Sequence, residues 1–373
     1  MVSGMPPRSA RAATIVSRGG PSLSLDNRGV PTPAAPEDLA ALERATEAAA
    51  AAETSPPKPL LDGPKRQHYL PRFYLDGFAT DGLVAIYDRE KNEVRRQQPK
   101  DTTVIGHFYT MEDAQGRRRF EIEALLSEYE GKAAPVIRKL AAKETITADE
   151  RSNLAVFMAL GAMRTPDIVE SMQQMNSGLV LEMTKRMYAN VETVAADLRK
   201  DPDYAGKSDD ELRVEAQAMV DLAQNGGLTV QTNQKWAVAM AIKMSLGVAP
   251  IFAGRDWVIT HRDTDKKSFV TTDAPVVLTS TAPRQQSIYG VGFGSADALV
   301  AFPLTQSCVL MMHGDDGGFR HIEVSADRVR SANLAMAEKC KRFVVGRDEA
   351  LVKALAETVG LAGRKWQPKM QRG

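Results

Sequence analysis

The feature that most restricts the fold of this chain is a change of hydrophobic period along its length. Between about residues 120 and 250, apolar residues recur at the spacing of an α-helix, whereas the segments on both sides have the period of β-strands. Thr147 and Glu150 form the pattern of a helix capping box. On the C-terminal side, 257–261 and 268–271 predict a β-hairpin. Together these patterns predict an α+β fold, with a central helical region (about 120–250) packed with N-terminal and C-terminal β segments.

The domain organisation follows from composition. Residues 1–64 are rich in alanine, proline and serine and poor in aromatic residues, so they bury too little apolar surface to offset chain entropy. We therefore expect a disordered tail there, with a short helix at 37–53 where helix propensity is high. Residues 65–360 are numerous enough to form a single α+β domain with its own core. Residues 361–373 then form a basic C-terminal tail.

The charge balance and the cysteine content limit the class of protein. The 48 lysines and arginines nearly cancel the 47 acidic residues, so net charge does not indicate binding to nucleic acid or to an anionic membrane. Cys308 and Cys340 are too few for a disulfide framework and favour a reducing compartment, so we expect a cytoplasmic protein. No apolar run reaches the roughly 20 residues that a membrane span needs. The N-terminal tail could recruit a protein partner.

The most unusual composition lies at the start of the predicted domain, in residues 67–78 (QHYLPRFYLDGF). His68 stands there among aromatic residues and a proline. It could be a metal ligand, a general base, or a packed residue that bonds a backbone carbonyl. Arg72 is unexpected in so apolar a run, and it predicts either a pair with a carboxylate or an anion-binding site.

This opening segment resembles the first motif of a large uncharacterised family, domain of unknown function 4238, which is found mainly in bacteria. Further segments fit the same family in the same order: 107–109 (HFY), 120–134 (FEIEALLSEYEGKAA), 163–166 (MRTP), 269–276 (FVTTDAPV), 302–304 (FPL) and 331–333 (SAN). The resemblance covers about residues 65–345. It implies a soluble α+β protein and no particular activity.

Two glutamates and an arginine are candidates for a site in the helical region. Glu123 and Glu130 are seven positions apart, so a helix places them on one face, about 10 Å apart along the axis. They could belong to a solvated acidic face, or one of them could join a site completed from elsewhere. Arg164 follows an apolar helical stretch, where a cation stabilises a helix C-terminus. It could equally hold Glu123 or Glu130 in a buried pair.

Asp273 is a further candidate because it follows a β segment within Thr272-Asp273-Ala274-Pro275. A carboxylate at a strand end could be catalytic or bind a ligand, or it could form an Asx turn before the proline. The chain contains none of the established signatures for catalysis or metal binding: no Gly-x-Ser-x-Gly elbow, no Cys-x-x-Cys pair and no His-Glu-x-x-His helix. Sequence motifs alone therefore do not identify a reaction.

Two functions from different classes agree with these residues. In the first, the chain is a binding or regulatory protein with a buried cluster of histidine, arginine and carboxylates. In the alternative, it is a metal-dependent hydrolase that acts on phosphoesters, as a nuclease does. His68, one of Glu123 and Glu130, and Asp273 would then be ligands of a divalent metal or a general base. Arg72 and Arg164 would stabilise developing negative charge.

Overall fold

The computed structural model describes residues 13–17, 63–113, 115–281 and 291–362. Within the predicted N-terminal tail, residues 13–17 form a strand. The helix predicted at 37–53 lies outside the described residues, as do residues 363–373 of the predicted C-terminal tail.

The described chain divides into two compact units. Of the described residues, the smaller unit contains 13–17 and 170–237, and the larger contains 63–113, 115–169, 238–281 and 291–362. The single domain predicted over 65–360 stays a prediction.

The predicted α+β class is confirmed. The helices of the described residues are α1 (Arg72–Asp76), α2 (Glu121–Ala141), α3 (Ala148–Met163), α4 (Pro166–Met187), α5 (Val191–Leu198), α6 (Asp209–Gln224), α7 (Gln234–Gly254), α8 (Ala326–Lys339) and α9 (Glu349–Val359). Six of them, α2 to α7, occupy the region predicted to be helical. The predicted capping box is present at the start of α3, where the side chains of Thr147 and Glu150 each accept a backbone N–H of the other residue.

The strands flank α2 to α7 in sequence, as the change of period indicated, except for β8, which lies between α6 and α7. They are β1 (Ala13–Ser17), β2 (Arg66–His68), β3 (Val84–Asp88), β4 (Glu93–Gln97), β5 (Val104–Gly106), β6 (Met111–Glu112), β7 (Arg118–Arg119), β8 (Leu228–Thr232), β9 (Asp256–Arg262), β10 (Thr271–Thr272), β11 (Val277–Ser280), β12 (Ala298–Thr305), β13 (Cys308–His313), β14 (Phe319–Val324) and β15 (Phe343–Gly346). In the larger unit, one sheet has the order β11-β12-β13-β9-β14 and another has the order β10-β15-β3-β4.

The hairpin predicted from 257–261 and 268–271 is wrong. Strand β9 pairs antiparallel with β13 and parallel with β14, while β10 pairs with β15 in the other sheet. The alternating pattern identified β9 as a strand, but residues distant in sequence supply its partners. Pairing over such separations depends on the assembled core rather than on the local turn.

Each unit has its own core. In the larger unit, buried residues from the four-stranded sheet, α8 and α9 pack together, among them Ala85, Val344, Met336 and Val352. In the smaller unit, α5 and α6 pack through a buried cluster that includes Val194 and Leu212. Burial of apolar surface is the main favourable term in both.

Two further observations bear on the expected cellular location. Cys308 and Cys340 are both buried and do not form a disulfide bond. The cytoplasmic location expected from the cysteine content stays a prediction. Helix α7 is long and apolar enough to cross a bilayer by length and composition, although 44% of its most apolar window is buried within the structure. A core helix of a soluble protein passes the same test, so α7 by itself is weak support for a span.

Candidate functional site

The opening segment, 67–78, is anchored in the larger unit by buried hydrogen bonds. Gln67 is fully buried; its amide oxygen accepts from the backbone N–H of Tyr109 at 2.7 Å, and its Nε2 donates to the Thr110 hydroxyl at 3.1 Å. The Tyr74 hydroxyl donates to a backbone carbonyl of β12 at 2.8 Å and lies 2.7 Å from the Thr271 hydroxyl. These bonds join residues that are far apart in sequence, so they bring together four of the segments that resemble the family: 67–78, 107–109, 269–276 and 302–304.

Arg164 lies at the centre of the candidate site. It follows the last residue of α3, and its side chain is only 2% exposed. Its Nη2 donates to Oε1 of Glu130 at 2.9 Å, and the Glu130 side chain is 24% exposed. The guanidinium carbon lies 5.9 Å from the ring centroid of Tyr109, whose hydroxyl donates to the Arg164 carbonyl at 3.4 Å. The ion pair therefore joins a buried cation to a carboxylate that reaches solvent.

Glu123 faces the same place from α2, about two turns before Glu130. It is half-buried and makes no hydrogen bond or ion pair with the residues that the structure describes. Burial raises the pKa of Glu123 to about 7; the negative charge of Glu130 adds to this shift, and the positive charge of Arg164 opposes it. Neither glutamate belongs to a fully solvated acidic face.

His68 lies at the edge of this group. Its Nε2 is 3.0 Å from the carbonyl oxygen of Lys100, and because a carbonyl only accepts, Nε2 carries the proton. Burial lowers the pKa of His68, while the bond to Lys100 and the charge of Glu130 partly offset that shift. We refer to His68, Tyr109, Glu123, Glu130 and Arg164 as the Arg164 cluster.

Two buried polar atoms directly after α3 have unused hydrogen-bonding capacity. Within the described residues, Nε of Arg164 and Oγ1 of Thr165 have no hydrogen-bond partner, although Thr165 is only 1% exposed. Buried polar groups in folded proteins are nearly always hydrogen-bonded, so each exception needs an explanation. Among the described residues, Arg89, Arg255 and Ser268 also have buried polar atoms without a hydrogen-bond partner, so this feature is not confined to the cluster. Nε of Arg164 can only donate, whereas the Thr165 hydroxyl can donate or accept.

Asp273 is buried beyond the end of β10 and has a visible structural role. Its carboxylate accepts from the backbone N–H groups of Lys341 at 3.0 Å and Arg342 at 2.8 Å. The side chain that bonds the turn before Pro275 is that of Thr272, not that of Asp273. The Thr272 hydroxyl accepts from the backbone N–H of Ala274. Burial raises the pKa of Asp273 to about 6, and the backbone hydrogen bonds oppose the shift.

Tyr69 connects Asp273 to the Arg164 cluster. Burial raises the pKa of Tyr69 well above its usual range, and the negative charge of Asp273 raises it further, with smaller contributions from Tyr109 and Asp167. Its hydroxyl makes no hydrogen bond within the described part of the chain. Asp167 in turn pairs with Lys341, at 3.4 Å. Tyr69 is thus near Asp273 and Asp167, and Tyr109 is near Glu123 and Glu130.

Arg72 is not part of this arrangement. Its side chain is 67% exposed, and its ion pair is with Asp76 on the next turn of α1, at 3.7 Å. Exposed pairs of this kind contribute roughly 0–1 kcal/mol to stability. The pairing with a carboxylate expected from the sequence is present, and nothing in the surroundings of Arg72 indicates an anion site.

Neither a group of metal ligands nor the cavity described below coincides with the Arg164 cluster in the part of the chain that the structure describes. Among the described residues, no group of three or more His, Cys, Asp or Glu side chains is placed to hold a metal ion. A cavity of about 390 Å³ lies between β3, β4 and α9, and it shares no lining residue with the Arg164 cluster. Its lining includes Tyr87, Asn92, Lys353 and Glu357.

Sequence reasoning missed several residues of the site. Gln67, Tyr69 and Tyr109 stood in the segments that carry the family resemblance, but none was singled out for a role. A buried glutamine and two buried tyrosines next to charged residues are recognisable only once the segments are assembled. Thr165 gave no separate signal, since a threonine before a proline is common at a helix boundary.

The comparison with known proteins agrees with the segments that meet in the larger unit. The sequence model of one family, described as a protein of unknown function (DUF4238), matches residues 66–350. No curated protein and no solved structure matches the chain. Since the match covers well over half of the 373 residues, the chain belongs to the DUF4238 family.

Proposed function

We propose that this chain is a binding protein and that the Arg164 cluster is its binding site. The observation that carries the proposal is Glu123, a half-buried carboxyl group without a hydrogen-bond or ion-pair partner among the described residues, next to the buried pair of Arg164 and Glu130. A partly desolvated carboxylate without a partner destabilises the fold. Binding sites commonly contain such groups because a ligand supplies the missing partner.

The origin of the cluster supports the same conclusion. Its members come from the four segments 67–69, 107–109, 120–130 and 163–166, and each lies in a stretch that resembles the family. A purely structural network would need each polar member to be satisfied within the protein. In the described residues, Nε of Arg164 and the carboxylate of Glu123 have no hydrogen-bond partner.

A ligand screen with a matched pair of variants tests this proposal. The melting temperature of the full chain would be measured with a panel of amines, carboxylates, phosphate and divalent metal chlorides. A ligand at 100 times its dissociation constant adds about 2.7 kcal/mol, which raises the melting temperature by roughly 3–6 °C for a protein of this size. Glu123→Gln removes the carboxylate and keeps its shape. Glu128→Gln removes an exposed charge from the same helix, where Glu128 is 57% exposed and pairs with Lys132.

A compound that stabilises the wild type and Glu128→Gln, but not Glu123→Gln, would support the site. A screen in which Glu123→Gln responds to every ligand as the wild type does would contradict it, as would a wild type that responds to no compound.

The hydrolase remains the second candidate, and the pKa of Glu123 favours it. A carboxyl group with a pKa of about 7 is suited to donate and accept protons near neutral pH, and Arg164 could stabilise negative charge. We would assay a chromogenic phosphodiester with Mg²⁺ and Mn²⁺, using wild type, Glu123→Gln and Glu128→Gln. Turnover that only Glu123→Gln loses would favour the hydrolase, and no turnover in the wild type would count against it.

A further inference from the structure

We infer that Lys65, His107 and Arg118 form a second binding site, which holds a phosphate group such as that of a small phosphomonoester. This site shares no residue with the Arg164 cluster, and the inference goes beyond the binding function proposed for that cluster. It follows from a histidine whose ring is oriented by a buried network, and from two cations beside it that have no ion-pair partner among the described residues.

A buried hydrogen-bond network orients the His107 ring. Thr110 is 5% exposed; its hydroxyl accepts from Nε2 of the fully buried Gln67 at 3.1 Å and lies 3.3 Å from Nδ1 of His107. A buried hydroxyl group nearly always donates its hydrogen, and Nδ1 is the acceptor for it within the described chain. Nδ1 therefore accepts, and the proton of the neutral ring is on Nε2.

The Nε2 atom of His107 is a donor that a ligand can reach. It makes no hydrogen bond within the part of the chain that the structure describes, and it is not one of the buried atoms that lack a partner. The backbone of His107 has a φ of 53°, in the left-handed region that residues other than glycine adopt uncommonly. Residues held in such conformations are concentrated at functional sites, so the backbone agrees with a binding role.

Two cations lie beside this donor. The backbone N–H of His107 donates to the carbonyl of Lys65 at 2.8 Å, so these two residues are direct neighbours. Partial burial lowers the pKa of His107, and the positive charges of Arg118 and Lys65 lower it further, because both lie close to the ring. Lys65 and Arg118 are exposed, and neither side chain makes a hydrogen bond or ion pair with a described residue.

The acidic residues at the end of β6 do not neutralise these cations. Asp113 pairs with Arg117 at 2.8 Å. Glu112 lies opposite Arg118 in the register of β6 and β7, but no ion pair joins the two. Positive charge therefore stays unneutralised at this place in the described chain.

The number of charges and donors indicates the class of ligand. A dianion neutralises both cations and accepts from Nε2 of His107, whereas a carboxylate leaves one cation unpaired. A phosphate monoester has a charge of about −1.5 to −2 at neutral pH and three acceptor oxygens, which fit this set of donors. The 48 basic and 47 acidic residues of the chain nearly cancel, which disfavours a long polyanion such as nucleic acid.

The test is titration calorimetry of the full chain near neutral pH and at constant ionic strength. The probes are glycerol 3-phosphate, inorganic phosphate and, as a monoanion, acetate. Lys65→Ala and Arg118→Ala each remove one cation, and His107→Asn removes the ring but keeps a residue that tolerates a left-handed backbone. Lys91→Ala is the control, because its side chain is similarly solvated, at 59% exposure. The melting temperature of each variant without ligand shows whether its fold is kept.

We expect the two phosphates to bind the wild type and Lys91→Ala alike. Each of the three variants of the site should bind them roughly tenfold more weakly. Thr110→Val should also weaken binding, since the ring loses its orientation, whereas Thr110→Ser keeps the hydroxyl and should bind as the wild type does. Glu123→Gln should bind both phosphates normally, because Glu123 belongs to the Arg164 cluster.

Tighter binding of glycerol 3-phosphate would assign the group to a phosphomonoester, and tighter binding of inorganic phosphate would assign it to the free ion; either result supports the site. Acetate binding as strong as phosphate binding, or an equal loss in Lys91→Ala and Lys65→Ala, would overturn the inference, because the attraction would then be unspecific. Unchanged binding by His107→Asn would overturn it as well. A wild type that binds neither phosphate would show that the inference is wrong, while the comparison of Glu123→Gln with Glu128→Gln would still decide the proposed function.

Discussion

Replacing Arg164 with methionine is the most direct perturbation of the cluster, because it removes the guanidinium and keeps most of the apolar stem. Removing one partner of a buried ion pair destabilises a protein by about 3–5 kcal/mol, since the remaining charge is left unpaired. Here the remaining carboxylate, Glu130, is 24% exposed and recovers part of its hydration. We therefore expect a loss of about 3 kcal/mol in the free energy of unfolding, which corresponds to roughly 4–6 °C in melting temperature.

The assay is urea denaturation of the full chain, followed by circular dichroism, with a control that has the same chemistry in a solvated setting. Arg66 pairs with Asp101 at 2.8 Å, but the two side chains are 61% and 43% exposed. Arg66→Met should therefore lower the free energy of unfolding by less than about 1 kcal/mol. The two variants differ mainly in the burial of the arginine.

A loss in Arg164→Met no larger than that in Arg66→Met would refute the reasoning, because burial would then have no effect on the value of the pair. A double-mutant cycle sharpens the comparison. If the cost arises from leaving Glu130 unpaired, the double variant Arg164→Met/Glu130→Gln should be less destabilised than the sum of the single variants. If the loss in the double variant equals the sum of the two single losses, the destabilisation comes from the packing of the arginine stem and not from an unpaired Glu130.

Three other predictions follow from the site and its surroundings. Burial raises the folded-state pKa of Glu123 from 4.5 to about 7, so the folded chain holds its proton more tightly and stability falls as the pH rises between these values. Glu123→Gln should thus be more stable than the wild type at about pH 8, by on the order of 2 kcal/mol after solvent screening, and equal to it near pH 4.5 in urea titrations. Asp273→Ala leaves two backbone N–H groups without an acceptor and should lose about 2–4 kcal/mol by the same titration, against little change for the exposed Asp265→Ala. Burial lowers the pKa of His261 from 6.5 to about 4, so the unfolded chain takes up the proton first, and stability should decline as the pH falls through that window. His261→Gln, which removes the ring hydrogen-bonded to His321, should flatten this acid limb of a pH–stability curve, and an unchanged limb would contradict the assignment.

Part of the candidate site was accessible from the sequence. Helical spacing alone predicts that Glu123 and Glu130 share a face of α2, and a buried pair with Arg164 was one of two alternatives for that residue. Which glutamate forms the pair could not be predicted, because that depends on the relative placement of α2 and α3. The unpartnered state of Glu123 was equally inaccessible, since it is a property of all the elements around it.

His68 and Asp273 show a different limit. The carbonyl that accepts from His68 belongs to Lys100, and the N–H groups that bind the Asp273 carboxylate belong to residues 341 and 342. In both cases the local sequence identified a polar side chain in apolar surroundings. The partner lies many residues away, so local pattern could not distinguish a structural hydrogen bond from a ligand contact.

The sequence by itself determined the α+β class, the positions of most helices and the capping box of α3, because these depend on the local period of apolar residues and on side chains a few residues apart. It also identified the family, through motifs that keep their order along the chain. The tertiary structure alone decided that β9 pairs with β13 and β14, and that Gln67 bonds residues 109 and 110. The tertiary structure also decided which carboxylates are buried and which of them accept hydrogen bonds from other parts of the chain. Strand pairing, burial and pKa depend on groups brought together over long separations, and a local pattern carries no information about those neighbours.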